Sequence, residues 1–175
     1  MRSTVLQLEN LSPDLKAVHE YWIALKGDRM MPTWKDVDLC DLPLHLIPTT
    51  LVIDIGTPIA ESVYRFWGSK MTTIHGRDMT ADCPYNIEPK DMGQQLYEDH
   101  CAIAEKKSAT AGHYSFFASG GYVHSHSLVR LPLSDDGENV TQILIVIDYS
   151  PKALSLIHDD REKFNAIARQ SYDRG

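Results

Sequence analysis

Three histidines offer the most specific chemistry in this sequence. His113 lies in one β-rich run, and His124 and His126 lie in the next, either side of Ser119-Gly120-Gly121. If Gly120-Gly121 is a two-residue turn, Ser119 pairs with Tyr122 and Ser115 with His126. All three imidazoles then share a face, because side chains alternate along a strand and cross-strand partners lie on one side. Three imidazoles with an open fourth position suit zinc or a similar cation. The set depends on register, since a one-residue slip separates it. Histidines on a solvated strand face are the plainer account, and no metal is assigned.

Other polar groups carry less. Asp36, Asp38 and Asp41 alternate with Val37, Leu39 and Leu42, but the run lacks the glycine and terminal glutamate of a calcium loop. Turn capping accounts for it. His75 and Asp78 are near enough in sequence for a dyad, with no serine or cysteine placed as their nucleophile. Asp135-Asp136 and Asp159-Asp160 sit where turns and helix starts are expected. There is no GxSxG, P-loop, HExxH or GxGxxG sequence. No catalytic residue is assigned.

The elements that must position these groups are readable from pattern. Ser12-Pro13 caps and opens a helix that Gly27 ends, with Leu15, Val18, Trp22 and Leu25 as its apolar stripe. Pro32, Pro43 and Pro48 fix an irregular connector. Residues 49–55 and 62–68 read as strands joined by a Gly56-Thr57-Pro58 turn. Ser69 is placed to cap a short helix bearing Met71 and Ile74, and Gly76 stops it. A long helix runs from Pro89 to about Lys107, with Met92, Leu96 and Ile103 on its apolar face. Three strands follow, 110–118, 122–133 and 140–149. The last contains Ile143-Leu144-Ile145-Val146-Ile147, a run suited to a central strand covered on both faces. A charged helix is expected at about 160–170. The expected organisation is an N-terminal helix and connector over 1–48, a core over 49–150 and a helical tail over 151–175.

Composition narrows the function. The formal charge is −7 and the basic residues are scattered, which disfavours nucleic acid and anionic membrane surfaces. No apolar run is long enough to span a bilayer, and no signal-peptide core is present. Cys40, Cys83 and Cys101 are odd in number and lack CxxC pairing, as expected of reduced thiols in a cytoplasmic protein.

The order β-β-α-α-α-β-β-β resembles that of the PAS domain, an α+β fold with a five-stranded antiparallel sheet and helices over one face. Four pieces extend the resemblance to the single-domain PAS family of alphaproteobacteria, formerly a domain of unknown function. They are YWIALKGDRMMPTWKDVDLCDLPLHLIP from Tyr21, YRFWG from Tyr64, GRDMT from Gly76 and RLPLSDDG from Arg130. The resemblance implies a non-enzymatic sensory or regulatory module that binds a small organic ligand, a protein partner in trans, or both.

It also frames the cofactor question. Flavin photosensors of this fold carry a reactive cysteine fourth in the corner, where this chain has Met79. Haem sensors use an axial histidine on the long helix, a position that His100 permits. A neutral histidine at the edge of the apolar stripe is the simpler reading, and no cofactor is assigned. A haem- or metal-binding sensor stays as an alternative, as does a small enzyme on a cone-shaped α+β barrel. The expected ligand pocket comprises Tyr64, Phe66, Met71, Ile74, Leu96 and His100, with Arg77, Ser125 and His126 as polar anchors. Trp67 is expected to face away from it, because it alternates with Phe66. Arg77-Asp78 also reads as an ion pair or cap that pins the corner. The Leu15, Val18, Trp22 and Leu25 stripe must be buried on the domain's own sheet or on a second subunit, and it is the expected surface for a homodimer or partner.

Overall fold

The strand Gln142–Asp148 (β6) has every residue buried, and the rest of the sheet is laid around it. The computed structural model describes residues 2–87, 90–117 and 123–149. The expected 118–122 hairpin turn, the Pro89 helix start and the 151–175 tail lie outside the described residues. The strands are Arg2–Leu6 (β1), Thr50–Asp54 (β2), Val63–Trp67 (β3), Thr110–Phe117 (β4), Val123–Leu133 (β5) and β6. They form one sheet in the order β1-β4-β5-β6-β2-β3, antiparallel throughout. Removing β1 leaves the five-stranded PAS order, so the fold is PAS-like α+β. The sixth strand is an addition: Thr4 pairs with His113 where the sequence pattern predicts no strand.

Helices cover both faces of this sheet. Helix α1, Pro13–Lys26, is capped by Ser12, whose Oγ accepts from the Leu15 amide, and ends at Gly27 with φ +53°. Its Leu15, Val18 and Trp22 are buried against the chain's own β5 and β6. Burial of such side chains is worth ~1.5–3 kcal/mol each, which a helix gains only by facing a core. The Trp22 indole Nε1 also donates to the Pro132 carbonyl at 2.9 Å. Of the two expected covers for the stripe, the sheet takes it: Leu15, Val18 and Trp22 are used inside the fold and are not a dimer surface, and Leu25 is half-buried beside them. β1 and α1 thus join the same sheet as the 49–150 core.

The opposite face carries α2, Ser69–His75, and α3, Lys90–Lys106. Gly68, rather than Ser69, is the N-cap of α2, and no side chain caps it. A Cβ at Gly68 would lie 2.4 Å from the Pro48 carbonyl oxygen, so the close approach of β3 to the connector requires glycine. Gly76 closes α2 in the left-handed region, at φ +76°. The corner beyond is local: Asp78 Oδ1 accepts from the Thr80 amide and hydroxyl, while Arg77 pairs with Asp82 at 3.0 Å. The connector's acids act similarly, with Asp36 accepting from the Thr33 amide and Asp38 from the Cys40 amide.

Candidate functional site

One register irregularity decides which aromatics face the helices. Val52 pairs with Phe66 but Ile53 pairs with Tyr64, which leaves Arg65 as an extra residue in β3. Tyr64 and Trp67 are three apart and would alternate to opposite faces in a regular strand. The bulge returns both to the α3 side, where their rings meet edge to face at 4.7 Å. Phe66 is turned to the other side, toward a surface hollow with Ile47 and Pro48.

Between the sheet and α2–α3 lies a cavity of about 50 Å³. Its sheet wall is Leu51, Tyr64, Trp67, Tyr114, His126, Leu128, Arg130, Ile145, Ile147 and Tyr149; Met71, His75, Ile87, Met92 and Leu96 close it from the other elements. Of the expected pocket residues, Tyr64, Met71, Leu96 and His126 line this space. Phe66, Ile74, Arg77, His100 and Ser125 do not. Ile74 packs half-buried against the core. The Arg77 side chain is 55% exposed. Ser125 faces the far side, hydrogen-bonded to Ser115 at 2.8 Å.

The β4–β5 register separates the histidines. Tyr114, not Ser115, pairs with His126, and His113 pairs with Ser127. His113 therefore faces away from the cavity, with its Nδ1 3.1 Å from Ser127 Oγ, while His126 faces into it. The expected three-histidine metal set is split, and among the described residues no cluster of ligating side chains could hold a metal ion. The side chain of His124 lies outside the described residues.

Arg130 is the residue that sequence reasoning missed. A guanidinium only 3% exposed sits in the apolar run of β5, with Nη2 3.0 Å from Asp99 Oδ2 on α3. Tyr114 donates its hydroxyl to the same Asp99 oxygen, and the Arg130 guanidinium stacks 5.0 Å above the Tyr114 ring. Burial, with the Asp99 charge a lesser contributor, pushes the Tyr114 phenol up to about 12. This group forms a partition. On its inner side is the cavity; on its outer side is a groove of about 180 Å³ between β1 and α3, lined by Thr4, Val5, Gln95 and Asp99. A lone arginine inside VRLPL is the signal that would have pointed to it.

The wall is rich in unanswered donors. Arg130 Nε, Trp67 Nε1 and Tyr149 Oη are buried without a hydrogen-bond partner. Each such group costs about 1–3 kcal/mol, and native cores hold few of them. Burial alone drives the Tyr149 phenol upward, so it stays protonated. Among the described residues the lining has no carboxylate, serine or cysteine. His100 lies behind it, fully buried, with Nδ1 3.3 Å from Tyr85 Oη. Desolvation, then the nearby Arg130 charge, lowers its pKa to about 3, so it is neutral. It does not line the cavity, and about 50 Å³ has no room for a porphyrin; these residues do not fit haem.

No family model matches the chain, and no curated protein matches it. Solved structures do. VqmA bound to DPO superposes with a TM-score of 0.50 at 10% identity, over 59% of this chain and 52% of that one. The PAS domain of a protein from Colwellia psychrerythraea gives 0.47 at 10% identity, over 66% and 99%. An RNA-binding light-oxygen-voltage receptor gives 0.49 at 10% identity, over 81% and 41%. The chain spans about half the length of the VqmA chain that it matches. At these identities the likeness is one of fold.

Proposed function

We propose that this chain is a non-enzymatic sensory or regulatory module of the single-domain PAS type. It binds a small ligand between the sheet and α3 and passes the state of that site to a protein partner in trans. One observation carries the reading: three residues that line a single aromatic cavity, Arg130, Trp67 and Tyr149, each hold a buried polar atom, Nε, Nε1 and Oη, without a hydrogen-bond partner. A wall that served packing alone would gain stability from phenylalanine or leucine at these positions. The absence of serine, cysteine and carboxylate from the described lining supports binding over catalysis. VqmA, whose chain this one matches in fold over about half its length, was solved bound to DPO. No helix among the described residues is long and apolar enough to cross a membrane.

The cavity's volume bounds the ligand. Drug-sized molecules occupy about 300–1,000 Å³, so this site takes something much smaller unless the wall opens. That small volume also favours a second reading, a module that works through protein contacts alone. Native mass spectrometry of protein purified under non-denaturing conditions separates them. A small non-covalent adduct, reduced in Trp67→Phe, is expected. A bare mass, with no shift in melting from any of a panel of small metabolites, would leave the protein-contact reading.

A further inference from the structure

We infer that the cavity takes an uncharged, apolar molecule of a few heavy atoms, of the light-hydrocarbon class; the inference rests on the ligand-binding reading above. The surface that the lining residues turn to the cavity is almost wholly carbon. Arg130 Nε, Trp67 Nε1 and Tyr149 Oη expose almost no surface of their own, so a molecule inside meets rings and alkyl groups rather than these atoms. The Tyr114 hydroxyl is committed to Asp99. A buried water needs about two to four polar partners, which such a surface does not present. A ligand hydroxyl or charge placed there would give up its hydrogen bonds to bulk water without replacement. Size narrows the class further. Apolar cavities of about 150 Å³ stay dry and take up benzene or xenon. This one, at about 50 Å³, has room for something smaller than benzene.

The rings that surround the space brace one another. Trp67 meets Tyr64 edge to face at 4.7 Å and His75 at 5.4 Å. His126 stacks on Tyr114 at 5.8 Å and lies 4.9 Å from Tyr149. Rings held in this way do not fold inward, so the space stays open where interiors are ordinarily close-packed. Leu51, Leu128 and Ile145 give it an aliphatic sheet wall, Met71 closes it from α2, and Met92 and Leu96 close it from α3. An apolar molecule seated there gains dispersion contacts with the sheet and with both helices at once. Occupancy therefore draws α2 and α3 onto the sheet, which is how a ligand without polar groups changes the state of this face.

The test compares ethane with methanol, its isostere bearing one hydroxyl, by methyl NMR of the full chain. Dissolved ethane is expected to shift the Leu51, Leu128 and Ile145 methyls in a saturable way and to leave Leu15 and Val18, on the α1 face, unmoved. At equal free concentration it should bind at least about tenfold more tightly than methanol, since the hydroxyl would be buried without a partner. Leu128→Phe fills the space and should abolish the ethane shifts. Ile147→Val, a change small enough to keep the fold, enlarges it and should tighten the binding of propane severalfold. Methanol binding as tightly as ethane overturns the inference, because the site is then polar, and leaves the ligand reading in place. Ethane shifts that grow without saturation and reach Leu15 and Val18 equally also overturn it, since they report partition into the whole core. If neither probe binds and the native mass is bare, the ligand reading falls as well.

Discussion

The two faces of the sheet are built to different standards. On the α1 face, polar groups are answered: Ser12 donates to Asp148 at 2.7 Å, Trp22 to Pro132 O at 2.9 Å, and Thr49 to Ile147 O at 2.6 Å. Ser115 meets Ser125, and His113 meets Ser127. On the α3 face, three residues that line the cavity hold buried polar atoms without partners, and a buried ion pair stands beside them. Buried ion pairs seldom outdo apolar packing in stability. The difference teaches that α1 secures the fold, while the α3 face gives up stability to hold unanswered polar groups.

Substitution of tryptophan on each face breaks or sharpens that contrast. Trp22→Ala should cost about 3–5 kcal/mol in urea unfolding, because it leaves a void on the closed face and orphans a carbonyl. A loss under ~1 kcal/mol would mean that α1 is not structural. Gly93→Ala comes next, since its Cβ would sit 2.3 Å from the Tyr85 carbonyl oxygen where α3 meets the 84–86 turn. Overpacking against backbone predicts a loss of about 1–3 kcal/mol, checked by thermal melts.

Acid should weaken the α3 face through His100. Its folded pKa of about 3 lies below the ordinary 6.5, so the unfolded chain binds the extra proton and stability falls as pH drops below about 6.5. Between pH 7 and 5 this amounts to about 2 kcal/mol, and His100→Asn should flatten that part of the pH profile. Trp67→Phe, by contrast with Trp22→Ala, should change stability by less than about 1 kcal/mol, because the donor it removes is unanswered. Arg77→Ala should be smallest, within about 0.5 kcal/mol, since its ion pair with Asp82 is solvent-exposed.

The frame of the fold was legible in the sequence, and the details that set the site were not. Strands β2 to β6, α1 and α3 follow from apolar period, proline and glycine. β1 escaped because RSTVL is five residues with no alternating apolar face, and only its pairing with β4 makes it a strand. Tyr64, Met71, Leu96 and His126 were reachable as apolar-face residues. Trp67 was misplaced because the bulge at Arg65 is one residue that no pattern announces. His113 and His126 were put together by a two-residue turn, and the observed register differs by one position. Arg130 and Asp99 are 31 positions apart, so their pairing exists only once α3 lies across β5.

The strand that was hardest to read also governs how the molecule meets its own copies. β4 offers eight residues of backbone, and Arg2–Leu6 occupies the side that would otherwise be an open edge. The opposite edge, β3, is five residues long and carries the Arg65 bulge, two features that discourage strand addition. β1 is equally short but pairs without a bulge, and its Val5 is 82% exposed. Cleavage after Leu6 would therefore turn a guarded sheet into one with a long adhesive border. A bulky group joined to the chain ahead of Arg2 would bear on the same border and should alter colloidal behaviour without entering the core.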